Sequence, residues 1–266
     1  MAEPEDADRR RGQRLAAETW IMTKRILRRW ARDPATVGQS LLFPAGFLIA
    51  LNIVLGDGIR QVTGESALYG SVPLVALVGA TSGAILVAIG IMREREDGLL
   101  SRFWVLPVHR LSGLLSRLLA ETFRIVVLTG FVMCVGMLLG FRFRQGFAEA
   151  VLWLFMPAVF GVAFSAVVIT IGLYAANVIV PQATEVISAM LFFFSTGFVP
   201  LDQFPQWLQP FVEHQPCSYV IEAMRGLSLG GPVLKPVLGT VLWSAVIAAA
   251  CAVPLVSGYR RASTRD

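Results

Sequence analysis

Residues 69–92 read YGSVPLVALVGATSGAILVAIGIM, without one charged side chain. At a rise of 1.5 Å per residue, about 20 apolar residues cross the ~30 Å hydrocarbon core of a bilayer. The run is long enough, and it is apolar on every side rather than striped. A helix of that kind must be enclosed by protein or lipid. It stops abruptly at residues 92–110, MREREDGLLSRFWVLPVHR, where charges of both signs stand beside Phe103 and Trp104.

Working outward, the rest of the 266-residue chain repeats this alternation. It is 55% hydrophobic and only 15% charged, with mean hydropathy +0.65, whereas soluble domains carry about 25% charge. Apolar runs at 38–55, 69–92, 111–140, 147–175, 183–200 and 235–258 predict six transmembrane helices in a single all-α, polytopic membrane domain spanning residues 1–266. Strand-like alternation is missing, which argues against a barrel, and the two halves show no inverted repeat. So little of the chain can be wet that nucleic acid is not an expected partner, despite the net charge of +5.

Lys and Arg set the orientation. With a cytoplasmic N-terminus, residues 1–37, 93–124 and the tail after Gly258 hold 18 of the 23 basic residues, and the facing loops hold 5. The positive-inside rule then places both termini in the cytoplasm of a multi-pass plasma-membrane protein. Residues 1–13 are polar and are expected to be a disordered tail. Residues 14–33 predict an amphipathic helix at the membrane interface, with Leu15, Thr19, Met22, Ile26 and Trp30 along one face, arginines along the other, and Trp20 as a further anchor.

The loop 93–110 falls on the cytoplasmic side. Arg93, Glu94, Arg95, Glu96 and Asp97 leave the bilayer, and Leu99, Leu100, Arg102, Phe103 and Trp104 suggest a short surface helix ending before Pro107. These residues suit either docking into a partner's groove, where aromatics and arginine concentrate, or anchoring at the interface. Arg117, Glu121 and Arg124 share one face of the third helix and can pair. Either that helix starts in the cytoplasm, or the charges are buried against a neighbour; the first is the expectation. Glu185 near the start of the fifth span reads as interfacial. On the outer side, prolines at 200, 205, 210 and 216 divide residues 201–230 into two short helices dipping into the outer leaflet. Val220, Ile221, Met224 and Leu227 form the apolar stripe of the second, opposite Glu222 and Arg225.

That outer string, STGFVPLDQFPQWLQPFVEHQPCSYVIEAMRG (195–226), resembles the signature region of ABC-type exporter permeases of the second type. Gly197, Pro200, Pro205, Trp207, Leu208, Gln209, Pro210, Pro216, Tyr219, Glu222 and Arg225 carry the resemblance. RRWARDPATV, LNIVLG, RFWVLPVHR, GFRFRQG and GYRRAS are similar to the daunorubicin-resistance-type permeases of mycobacteria and related actinobacteria, among them permeases that export the waxy lipid phthiocerol dimycocerosate. Gln215 stands where many members have Asn. The resemblance implies a six-span permease with an interfacial N-terminal helix, an outer gate at 200–225, and a coupling helix at 93–106 that docks on a separate ATPase subunit. Two copies of that subunit would bind ATP and Mg, and a second, related permease would complete a hetero-oligomer. The chain has no G-x-x-x-x-G-K-[ST] of its own, so the expectation is a non-catalytic subunit without cofactors, in contact with membrane lipids.

Other chemistry is sparse. Cys134 and Cys251 lie in spans, and Cys217 has no evident partner. Asp202, His214 and Ser218 would have to meet for the alternative, a stand-alone intramembrane lipid-modifying enzyme or lipid scaffold. Phe192, Phe193 and Phe194 suit a hydrophobic passenger or contact with lipid. The passenger itself, complex lipid or anthracycline-like drug, is not legible.

Overall fold

Small side chains let the helices of this chain approach closely. In a computed structural model, which describes residues 4–96, 112–175, 177 and 179–264, all regular structure among the described residues is helical. Helix α1 is Pro4–Arg32, α2 Pro34–Thr63, α3 Leu68–Glu96, α4 Ser112–Leu138, α5 Phe147–Tyr174 and α6 Ile179–Phe193. A 3-10 turn at Leu201–Gln203 precedes α7 (Gln209–His214), α8 (Pro216–Leu229) and α9 (Leu234–Thr264).

Helix α3, the stretch quoted first, is the centre. It packs on α2, α4, α5, α6 and α8. Ala76, Ala80, Ala84 and Ala88 recur every four residues and are fully buried. Facing them, a methyl group added at Gly161 of α5 would stand 3.2 Å from the Ala80 Cβ, and one at Gly172 3.0 Å from that of Ala88. Lipid tails give apolar helices no hydrophobic reason to associate, so this close packing is what holds α3 to α5. Pro44, Pro73, Pro157 and Pro254 all lie inside helices, as neighbouring helices in a membrane bundle permit.

Two hydrophobic clusters mark the two ends. One joins Leu48, Leu74, Trp153, Phe160, Ile221 and Met224 from α2, α3, α5 and α8. The other joins Ile91 of α3, Leu114 of α4, Leu173 of α5 and Leu255 of α9. The second therefore gathers the ends of α3 and α4 that flank residues 97–111, together with the C-terminal end of α9.

Among the described residues, five helices are long and apolar enough to cross a membrane: Thr36–Gln61, Leu68–Arg93, Ser112–Leu138, Phe147–Tyr174 and Leu234–Gly258. The expected fifth span, 183–200, differs. Its helix, α6, has 15 residues, or about 22 Å. The chain leaves the helix after Phe193, where one local and one distant partner take over the terminal carbonyls. Ser195 donates from both its N–H and its hydroxyl to Phe192 O, and the Gln215 amide donates to Phe194 O. Even so, α6 links the end containing Leu173 to the end where Thr196 meets Arg225.

The N-terminal tail is also not as expected. Residues 1–13 read as disordered, yet the helix runs from Pro4. At the other boundary, α3 stays helical through Arg93, Glu94, Arg95 and Glu96. Asp97, Leu99, Leu100, Arg102, Phe103 and Trp104 lie outside the described residues.

Candidate functional site

At the end nearest residues 97–111, α1 lies along α4. The Thr23 hydroxyl donates to Thr19 O within α1 and reaches Ser116 O of α4 at 3.3 Å. Ser112 Oγ approaches Met22 Sδ at 3.9 Å, and the Trp20 and Phe123 rings are 6.1 Å apart. Thr19 and Thr23 are buried, Met22 and Trp30 half-buried, and Trp20 and Ile26 exposed. Of the stripe assigned to the membrane interface, Thr19 is thus buried and Met22 meets α4, while Ile26 stays exposed. The signal was present: threonines at 19 and 23 are too polar for a face meant for lipid. Lys24, Arg25, Arg28, Arg29 and Arg32 remain exposed beside Trp20 and Ile21.

The charged residues at the start of the third span take the arrangement that was not the expectation. Glu121 is 3% and Arg124 7% exposed. The guanidinium meets the carboxylate through two bonds, Nε to Oε2 at 2.9 Å and Nη2 to Oε1 at 2.6 Å. It also donates to the backbone of α3, to Ala80 O at 3.1 Å and Gly79 O at 3.4 Å. Gly83 makes the seat, since a Cβ there would collide with the Arg124 guanidinium. Arg117 is half-buried one turn earlier. Glu185 is exposed on α6.

At the opposite end, the segment between α6 and α9 folds onto the bundle. Pro216 is the first residue of α8, whose Cys217, Val220, Ile221, Ala223 and Met224 are buried against α3, α5 and α9. Gln215 holds the junction by donating to both Phe194 O and Ser218 Oγ. Arg225 pairs with Glu222 at 2.9 Å and donates to Thr196 O at 2.8 Å. Gly70 admits this contact: its Cβ would stand 2.6 Å from Gly197 O and 3.0 Å from the Arg225 guanidinium. Tyr219 lies against Gly239 of α9. Pro205, Trp207 and Pro210 are exposed, and Pro200 half-buried. Trp207 at 79% exposure does not belong to the packed core.

Loops from elsewhere join this end. Arg144 pairs with Glu65 at 3.1 Å, which raises the Arg144 pKa above its usual value, and its N–H donates to Ser228 O. Tyr69 donates to Arg142 O. Sequence reasoning missed Gly70, Glu65, Thr196 and the capping role of Gln215, because each acts through a distant partner. Gln215, noted only as a departure from Asn, was the best available signal.

The three residues named for the alternative chemistry are each bonded elsewhere. The His214 ring nitrogen lies 2.9 Å from Pro210 O, Ser218 is buried and accepts from Gln215, and exposed Asp202 accepts from Gln203. Cys217 is buried, which pushes its thiol up to about 12. Phe192 is buried, while Phe193 and Phe194 are exposed and Phe193 stacks on Phe198 at 5.3 Å.

Comparison with known proteins addresses this arrangement. Residues 17–229 match the family described as "ABC-2 type transporter". The chain is 52% identical over 250 residues to the "Probable doxorubicin resistance ABC transporter permease protein DrrC" of Mycobacterium tuberculosis, covering 94% of this chain and 91% of that one. It is 27% identical over 198 residues to the "Daunorubicin resistance ABC transporter permease protein DrrB1" of Streptomyces coeruleorubidus, with 74% and 70% covered. With the M. tuberculosis "Doxorubicin resistance ABC transporter permease protein DrrB" the identity is 28% over 253 residues, with 85% and 82% covered.

Proposed function

The chain belongs to the ABC-2 type transporter family, and from that premise we propose that it is the permease subunit of an ATP-driven exporter of a hydrophobic substrate. The observation that carries this reading is the 52% identity across nearly the whole length of a doxorubicin-resistance permease. In this reading ATP and Mg are bound by two copies of a separate ATPase subunit, which grips the segment 93–106. A second, related permease completes the membrane part, and the subunit itself performs no catalysis. The chain sits in the plasma membrane with both termini in the cytoplasm, and α6 makes the sixth crossing. The link that α6 provides between the two ends of the bundle supports that count. Residues 201–230 form the outer gate, with α8 re-entering from outside. The substrate is an anthracycline or a complex lipid such as phthiocerol dimycocerosate.

Deleting the chain tests the reading. Cells lacking it should accumulate doxorubicin or lose a complex lipid from the envelope, and tagged chain should capture an ATPase subunit. In the wild-type background, Glu94→Ala, Arg95→Ala or Glu96→Ala should weaken that capture and abolish export. Unchanged doxorubicin content and lipid profile in the deletion strain would overturn it.

A further inference from the structure

The reading above leaves the Glu121–Arg124 pair without a task. Stability does not explain it, because a buried ion pair is rarely better than well-packed apolar residues of the same volume. What the pair adds is direction. Arg124 reaches past its own helix to the carbonyls of Gly79 and Ala80, in a seat that Gly83 keeps open. Apolar faces tolerate sliding. A guanidinium that donates to two fixed carbonyls does not: a shift of α4 by one residue would carry Glu121 along with Arg124 but break the bonds to Gly79 O and Ala80 O and drive the guanidinium out of the space over Gly83.

The position of the pair matters as much as its geometry. Gly83 precedes Arg93 by ten residues and Arg124 follows Ser112 by twelve, so the seat lies about 15–18 Å along each arm from the segment that joins α3 to α4. Helix α1 is carried on the same arm through Thr23 and Ser116. We propose that Glu121 and Arg124 are positioning residues that clamp α3 and α4 into one rigid arm, so that movement delivered at residues 93–106 reaches the core of the bundle. The clamp rests on the reading of that segment as the ATPase contact. With the clamp released, ATP is hydrolysed while the arm gives way, and hydrolysis is uncoupled from export.

The test uses the complex of this chain with its ATPase and second permease in membrane vesicles, with doxorubicin as the probe. Doxorubicin moved and ATP consumed are measured together. Glu121→Gln with Arg124→Gln removes both charges and strands neither. Hydrolysis should stay within about twofold of wild type, while doxorubicin moved per ATP falls about tenfold. Arg124→Lys, which keeps the charge but not the paired donors, should fall part of the way, and it carries the test if the double variant is lost from the membrane. Unchanged transport per ATP in variants that insert and retain the ATPase would overturn the clamp and leave the pair a packing feature. A wild-type chain that captures no ATPase would instead overturn the functional reading, and the clamp with it.

Discussion

Gly90 and Gly239 both lie within helices, yet a methyl group would meet different surroundings at each. Nothing stands within 4 Å of a Cβ at Gly90, whereas one at Gly239 would lie 2.5 Å from Tyr219 Cδ1 and 2.7 Å from Cε1. Gly90→Ala should therefore stabilise the detergent-solubilised protein by about 0.4–1 kcal/mol, through the lower entropy of the unfolded chain. Gly239→Ala should destabilise it by about 1–3 kcal/mol as α8 is pushed from α9. Thermal unfolding of the two variants side by side checks both signs. A pH effect is expected at Glu213, whose carboxyl the Lys235 ammonium, 3.0 Å away, holds below the usual range. A lowered carboxyl pKa stabilises above the unfolded value, and the contribution is lost as pH falls through the folded one. Wild type and Glu213→Gln should thus differ slightly at neutral pH and converge in acid. The difference is small because the pair is exposed.

Helix α8 shows what an element's sequence reveals and what it hides. Val220, Ile221, Met224 and Leu227 were legible as an apolar stripe, and Pro216 as a helix start. The burial of Ser218 and Ser228 in the same helix was not, because it depends on α3, α5 and α9 closing around them. The length of α6 was hidden for the same reason. From Val186 to Pro200 the chain carries no charged residue to mark an end, and the distant partner at the helix end, Gln215, is recognised only once the chain has folded back. The preceding segment behaves oppositely, since Trp207 is exposed. In a chain with Cys134 and Cys251 replaced, Trp207→Cys should react with a membrane-impermeant maleimide within minutes, while Cys217 should react only after denaturation. Rapid labelling of Cys217 in the folded protein would mean that α8 does not pack as described.

For the whole molecule, the charge count and the packing can be set against each other because they are independent. The count assigns residues 1–37, 93–124 and the tail to one side of the membrane. Without reference to charge, the packing gathers α1, the Ile91 end of α3, the Leu114 end of α4 and the Leu255 end of α9 at one end of the bundle. Glu65, Arg144, Ser228 and Thr196 meet at the other. Arg124 adds little to the asymmetry, since Glu121 neutralises it where it lies. Exposed Lys24, Arg25, Arg28, Arg29 and Arg32 maintain it. Inverting the chain would carry these cations across the hydrocarbon, which is why such a cluster fixes orientation. A fluorescent protein that matures only in the cytoplasm should therefore light up when fused after Asp266. In the same cells, Gly231→Cys, at an open site with nothing within 4 Å, should be labelled by impermeant maleimide from outside, and Arg28→Cys should be labelled only after the membrane is opened. Outside labelling at Arg28→Cys would reverse the orientation, placing residues 93–106 beyond the reach of a cytoplasmic ATPase.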